Sequence, residues 1–589
     1  MTQTTITTPT PIGTYSPKFS YQIAMPQPQT HLFEVKLTVS NWGSDVLDLK
    51  MPVWTPGSYL VREYAKQLQN FRALNDKDRQ LTATKIAKHH WQIQTDKCSE
   101  IIVSYRMFAH ELTVRTNHLD ATHGYFNPAA LCFYVPDYEH CPIEISIIPP
   151  HPNWQVTTPL PAISPQTFLA ANFDTLVDSP FEIGTQQVYD FTVLGKPHQL
   201  VVWGEGNLNP DKTIEDIKQV IQVESNIFGG LPYEKYIFLL HLSPSGGGGL
   251  EHKNCCSLLY PRFNFQGSDK HNRFMQLVAH EFFHLWNVKR IRPIALEKFD
   301  YDRENYTPSL WFSEGTTSYY DLQIPMRAGI YDEREYLTEL SKEITRFLTT
   351  PGRLVQSLSE SSFDAWIKLY RPDANSTNSQ MSYYLKGEMV TLLLDLLILD
   401  RTDGVKSFDD VLVEMWDRFG RSEVGFTEIQ LINIIESIAN LDLTEFYDRY
   451  IHGIEELHFN DYFAPFGVEL KPIDSTIPYL GIAVKHEHGR EVIKSVASNS
   501  PAQLAGIDPG DELLAIDGFK VIADRLNDRL KQYQCGENIS ITIFHGDRLI
   551  TVNVMLSACQ PQQYQLQPLE QTTDRQRQQF KAWMRSASK

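Results

Sequence analysis

The sequence predicts a multidomain protein: an all-β N-terminal domain, a mixed α/β region passing into an all-α region, and a small C-terminal domain of short strands. Three observations predict it. The 589 residues allow roughly three to five domains at about 150 residues each. The hydrophobic period changes from two to helical near residue 196, and the composition shifts again near residue 470. Hydrophobic residues at 42%, charged residues at 21% and aromatics at 12% exclude disorder, collagen and coiled coil as the main architecture.

Residues 1–15 are rich in Thr and Pro and are expected to be a flexible tail. Over 16–195 the period is two: Phe33, Val35, Leu37 and Val39 alternate with Glu34, Lys36, Thr38 and Ser40, a half-buried strand. Pro52, Pro56, Gly57, Pro128, Pro136, Pro149 and Pro150 punctuate the rest, as in a β sandwich. From 196 to 468 the reading is a helix at 213–228, a strand at Tyr236 to Leu242, helices near 272–290 and 314–325, and long helical stretches from 384 to 453. The range 469–559 reads as short strands with two short helices, and 560–589 as a tail whose Phe580, Trp583 and Met584 lie at helical spacing.

The charge balance is −18, from 71 acidic and 53 basic residues. That disfavours a nucleic-acid or anionic-membrane partner, which needs a basic face. Seven cysteines without a CxxC pair do not form a disulfide framework and fit a reducing compartment. The N-terminus carries no basic and apolar leader pattern. The apolar run Met389 to Leu399 is bounded by Glu388 and Asp400 and interrupted by Asp395, too short and too charged to span a bilayer. The expectation is a cytoplasmic protein with no membrane partner; whether it forms a homo-oligomer stays open.

His280-Glu281-Phe282-Phe283-His284 is an HExxH pattern inside a helical run. Residues one helical turn apart share a face, so both imidazoles can reach one zinc ion. Glu281 is placed to take a proton from a water activated there. A catalytic zinc needs a third protein ligand, and Glu314, 30 residues after His284 at the start of a second helix, is the candidate. Two further segments bear on the chemistry. Gly248 and Gly249, before Leu250, Glu251 and His252, let a peptide backbone approach closely, so that Glu251 can pair with a cationic amine. Tyr383 and Tyr384 precede Leu385, Lys386 and Gly387, and a phenol near the zinc can donate to an oxyanion.

HEFFH, WFSEG and YYLKG, with GGGLEH upstream, and the stretches HEFFHLWNVKRIRP and PVWTPGSYLVREY, resemble the gluzincin aminopeptidases, most closely the glycyl aminopeptidase family. The resemblance covers nearly the whole chain. It implies a β domain, a thermolysin-like zinc peptidase domain over 196–468 and a PDZ domain over 469–559. It implies one zinc per chain held by His280, His284 and Glu314, with Glu281 as general base. It implies substrate-amine recognition by Glu251 and oxyanion stabilisation by Tyr384 rather than Tyr383. The substrates implied are peptides with a free N-terminus, Gly first and then Ala. Relatives often carry an acid four residues after the zinc glutamate; here that residue is Ser318, so support for a histidine ligand must come from elsewhere.

The segment from Tyr479 to Ile482, followed by SPAQLAG and DELLAIDG, resembles a PDZ domain of the circularly permuted bacterial type. The loop Leu480, Gly481, Ile482 then presents backbone N–H groups to the C-terminal carboxylate of a peptide. His110, His118 and His123 are candidates for a second metal cluster, but they read as structural, because a spacing of five suits neither a helix nor one face of a strand. Cys255 and Cys256 read as buried small hydrophobes. Lys289, Arg290 and Arg292 read as helix C-terminal cations, a substrate-carboxylate role being the alternative. The functional expectation is a zinc aminopeptidase; the alternatives are a PDZ-recruited zinc endopeptidase and a non-catalytic peptide-binding scaffold.

Overall fold

The computed structural model describes residues 17–473 and 477–585; the expected N-terminal tail lies outside the described residues. The N-terminal region is β-rich. Leu32–Ser40 does alternate, with Phe33, Val35, Leu37 and Val39 buried, and it sits inside a seven-stranded sheet between Lys18–Ala24 and Glu100–Phe108. A second sheet of four strands includes the short hairpin His118–Leu119 with His123–Phe126, and then Phe181–Gly184.

The peptidase region opens earlier than the sequence suggests. Gln187–Val193 pairs with Lys196–Trp203 through the left-handed turn Leu194–Gly195, the geometry that matches hairpin twist. The sheet therefore starts at Gln187 rather than at 196. It continues through Tyr236–Ser243 and Cys255–Pro261, both parallel to Lys196–Trp203, and ends on the antiparallel edge strand Gly248–Glu251. Tyr236–Ser243 is buried along its whole length, as a central strand covered on both faces must be.

Helices cover this sheet and then form a bundle. Tyr383–Arg401 runs through its centre and is buried nearly all round, which accounts for the apolar run without a membrane. No helix among the described residues is long and apolar enough to cross one. Val53, Trp54 and Tyr59 from the N-terminal region belong to the same core as the peptidase helices, so the two regions share one interior.

The C-terminal small domain has the strand order Ile482–Glu487, Arg490–Val496, Glu512–Ile516, Asn538–His545, Arg548–Met555, with short helices at Pro501–Leu504 and Leu526–Leu530. Val468–Ile473 and Gln563–Pro568 stand outside its sheet and pair with each other. The segment read as a tail thus contributes a strand, and then the helix Asp574–Met584. Thr573 and Gln576 form a capping box at that helix start, and its Trp583 is fully buried beside Tyr336, Phe463 and Phe466.

Candidate active site

The helix Ser268–Phe283 buries Phe274, Met275, Val278, Ala279 and Phe282 on its core side. That fixes its rotation and turns His280 and His284 together towards the site, with ring centroids 4.6 Å apart. Glu314 lies in a wide helical turn, Trp311–Gly315, that leads into the helix Thr316–Arg327. Its Oε2 is 3.1 Å from His284 Nε2 and 3.6 Å from His280 Nε2. Asn287 joins the two segments: it is fully buried and donates to the carbonyls of Phe312 and Ser313 at 2.9 and 3.1 Å.

These three side chains fit a metal ion. His280 Nδ1 donates to Asp321 at 2.8 Å and His284 Nδ1 donates to the carbonyl of Asn287 at 2.7 Å. Each ring is thereby oriented with its Nε2 lone pair towards Glu314, the arrangement that metal-ligating histidines use. Asp321 is the support that Ser318 does not provide. It stands seven residues after Glu314, two turns along the same helix face. Burial alone would raise the carboxyl of Glu314, but His284 and His280 hold it down to about 2, so it is ionised. Glu281 is different. Burial, opposed by the two histidines and reinforced by the charge of Glu251, lifts it to about 7, the range suited to a proton carrier at neutral pH.

The edge strand brings Gly249 and Glu251 beside this group. A Cβ on Gly249 would come within 2.2 Å of the Glu281 carboxyl, so only glycine lets the strand pass Glu281. Glu251 is 4% exposed. From the other side Gly57, at φ +83°, presses on the same carboxylate: a Cβ there would be 2.5 Å from its Oε1. Arg115, from the N-terminal region, donates to the Gly249 carbonyl at 2.9 Å and sits in the field of Glu281 and Glu251. The ring of Tyr384 lies 6.2 Å from that of His280. Its hydroxyl is 3.1 Å from that of Tyr370, whose oxygen is 3.3 Å from Tyr383; Tyr383 is fully buried and Tyr384 is not. Tyr59 and Trp366 close the aromatic wall, edge to face at 5.6 Å.

Three models of known families match the chain: the Peptidase M61 N-terminal domain over 20–185, M61 glycyl aminopeptidase over 273–390, and PDZ over 478–556. An aminopeptidase N family protein from Idiomarina loihiensis is 30% identical, covers 96% of this chain and all of its own, and superposes with a TM-score of 0.91. The chain belongs to the M61 glycyl aminopeptidase family. A zinc metallopeptidase of the M1 type from Deinococcus radiodurans is similar over 72% of this chain and 92% of its own, at 13% identity and a TM-score of 0.44. No curated protein matches.

M61 membership makes the chain a zinc peptidase with a β-rich N-terminal region and a PDZ domain. The Leu480, Gly481, Ile482 loop of that PDZ domain lines a cavity of about 290 Å³ with Leu526 and Leu530. Thr349, Pro351 and Asn378 of the peptidase region form its opposite wall. Asn378 clasps the domain by donating to the Val496 carbonyl and accepting from the Ser498 N–H, both at 2.9 Å.

Other candidates have structural places. Cys255 and Cys256 are buried strand residues. Lys289 pairs with Asp178 at 2.6 Å, Arg290 donates to the Leu285 carbonyl at 2.7 Å, and Arg292 meets Glu423 at 3.4 Å; these partners occupy the cations that sequence offered to a substrate carboxylate. Arg115 and Tyr370 carry no sequence signal, since each comes from a loop or turn far along the chain from the HExxH helix; Gly57 and Tyr59 lie in the stretch PVWTPGSYLVREY that carries the resemblance, but nothing in the sequence sets them beside Glu251.

Proposed function

We propose that the protein is a zinc aminopeptidase that releases small N-terminal residues, Gly and then Ala, from peptides. The observation that carries this reading is the buried carboxylate of Glu251, crowded by Gly57 and set beside the His280–His284–Glu314 group. An ammonium is the natural partner for such a buried acid. A substrate amine fixed there brings only its first peptide bond to the metal side chains. The pressure of Gly57 on Glu251 and Leu250 leaves little room for a first side chain, which favours Gly and Ala.

His280, His284 and Glu314 would hold the zinc. When bound, it polarises the scissile carbonyl and makes a water acidic enough to lose its proton near pH 7. Glu281 takes that proton and returns it to the leaving amine. Tyr384 donates its O–H to the developing oxyanion; its placement over His280, with Tyr383 buried behind, supports it over its neighbour. Arg115 offsets the mutual repulsion of Glu251 and Glu281. The PDZ cavity, with its wall from the peptidase region, suits an extended peptide end beside the loop at Leu480, Gly481 and Ile482. Seven free cysteines support a cytoplasmic setting.

The test is hydrolysis of Gly- and Ala-anilides by the zinc-loaded protein, with N-acetylated partners and Glu281→Gln as controls. Cleavage confined to free-amine substrates and lost in Glu281→Gln is expected. Equal cleavage of the acetylated substrates overturns the aminopeptidase reading in favour of an endopeptidase. No cleavage at all by a zinc-loaded protein favours a scaffold.

A further inference from the structure

A second cluster of potential ligands is buried where the N-terminal region meets the peptidase sheet. His123 opens a strand of the four-stranded sheet, Glu182 lies on the strand paired with it, and His241 comes from the centre of the peptidase sheet. One donor atom from each lies within 4.8 Å of the other two. His241 Nε2 is 2.7 Å and His123 Nε2 3.8 Å from the Glu182 carboxylate. These spacings match those of His280, His284 and Glu314. We propose that His123, Glu182 and His241 form a second metal site for a borderline divalent cation, zinc, which pins the N-terminal β region to the peptidase sheet.

The burial of the donors carries the argument. The side chains of His123, Glu182 and His241 are 0%, 2% and 1% exposed. Yet both ring nitrogens of His123, Oε1 of Glu182 and Nδ1 of His241 have no hydrogen-bond partner among the described residues. Buried polar atoms are rarely left unpaired. The unpaired Nε2 of His123 and Oε1 of Glu182, with His241 Nε2 at the same carboxylate, are the atoms that a single cation would join. His118 adds to the set. Its ring is 4.9 Å from that of His123, and its Nδ1 meets the His110 carbonyl at 3.1 Å. Its Nε2 is left buried and unpartnered, 3.4 Å from an oxygen of Asp120. With Asp120 and His123 it forms an adjoining group of its own, so His123 stands between the two groups. Imidazoles with one carboxylate are zinc ligands, and a site closed by protein on every side is structural rather than catalytic. Trp203 stacks on His123 at 3.6 Å and Tyr125 meets His241 edge on at 4.7 Å, so water has little access.

The test counts metal in the full chain. Protein is prepared without chelators from zinc-supplemented medium, and metal is measured by inductively coupled plasma mass spectrometry. Wild type is expected to hold two zinc ions per chain and His280→Ala/His284→Ala to keep one. His123→Leu/His241→Leu is expected to keep one as well. Because that second variant removes interior groups, the first, which leaves the new cluster intact, decides. In it, chelation should lower the unfolding temperature, and cobalt in place of zinc should give a visible absorption that the metal-free protein lacks. One zinc in wild type and none in His280→Ala/His284→Ala overturns the proposal.

Discussion

Replacing Gly57 by Ala tests whether the N-terminal region sets the geometry of amine recognition. A Cβ at this position would lie 2.5 and 2.6 Å from the two Glu251 oxygens and 2.6 Å from Leu250 Cδ1. Ordinary contact begins at 3.4 Å, so one side must retreat by about 1 Å. The loop cannot easily yield, because Tyr59 beside it is anchored in the shared core against Trp366. The φ of +83° adds about 1–2 kcal/mol of backbone strain for any L side chain. A misplacement of about 1 Å at a positioning group can cost about 100-fold in rate, equivalent to about 2.7 kcal/mol of transition-state stabilisation. The assay is kcat/KM on Gly- and Ala-anilides, with zinc content and unfolding temperature measured alongside. A fall of about two orders of magnitude at unchanged zinc content is expected, as is a larger relative loss for Ala than for Gly substrates. Full activity in a folded Gly57→Ala would refute the idea that this loop holds Glu251 in place.

Tyr384→Phe should lower kcat by about 100- to 1000-fold with little change in KM, whereas Tyr383→Phe should mainly lower the unfolding temperature; the reverse pattern would move the oxyanion role to Tyr383. Asp321→Asn should weaken zinc binding about 10- to 100-fold, read by competition with a chelator, and an unchanged affinity would leave His280 oriented by something else. Asp409, whose carboxyl burial would raise but Arg327 and Arg585 hold down to about 2, has an unfolded value near 3.9. Its folded value is the lower one, so its contribution to stability is full above about pH 4 and vanishes as pH falls towards about 2. The urea-midpoint gap between wild type and Asp409→Asn should therefore narrow over that window, and a constant gap would refute the assignment.

The metal side chains were legible because their information is local. His280, Glu281 and His284 occupy one helical turn and a half, and helix geometry alone brings the imidazoles together. Asp321 is hidden from the family pattern, which points to the fourth residue after Glu314, while the same helix face returns at the seventh. Arg115 and Tyr370 give no signal for a different reason: they approach through loops whose paths are set by the shared core, which no periodicity encodes. His118 and His123 show how a local rule can mislead. A spacing of five suits neither one helix nor one strand face, but a tight hairpin folds between them and pairs His118 with Tyr125, bringing the rings together. The strand Gln563–Pro568 escaped notice because its polar composition gives no alternation; it is specified by its partner Val468–Ile473 and by the helix Glu333–Leu348, whose Ser341 and Thr345 side chains accept from its Leu566 and Tyr564 N–H groups.

That pair of strands makes the small C-terminal domain a bead on a two-lane stem. The chain leaves the peptidase at Ile473 and re-enters at Gln563, which is its direct partner across the ladder, so the exit and the return are neighbours about 5 Å apart. A two-residue hairpin could bridge that gap and excise the whole bead while leaving the terminal helix, with Trp583 in its socket, where it is. The architecture thus separates two kinds of dependence: the peptidase needs the end of its own sequence for its interior, and it can be asked directly, by one deletion, whether it needs what that sequence carries on the way.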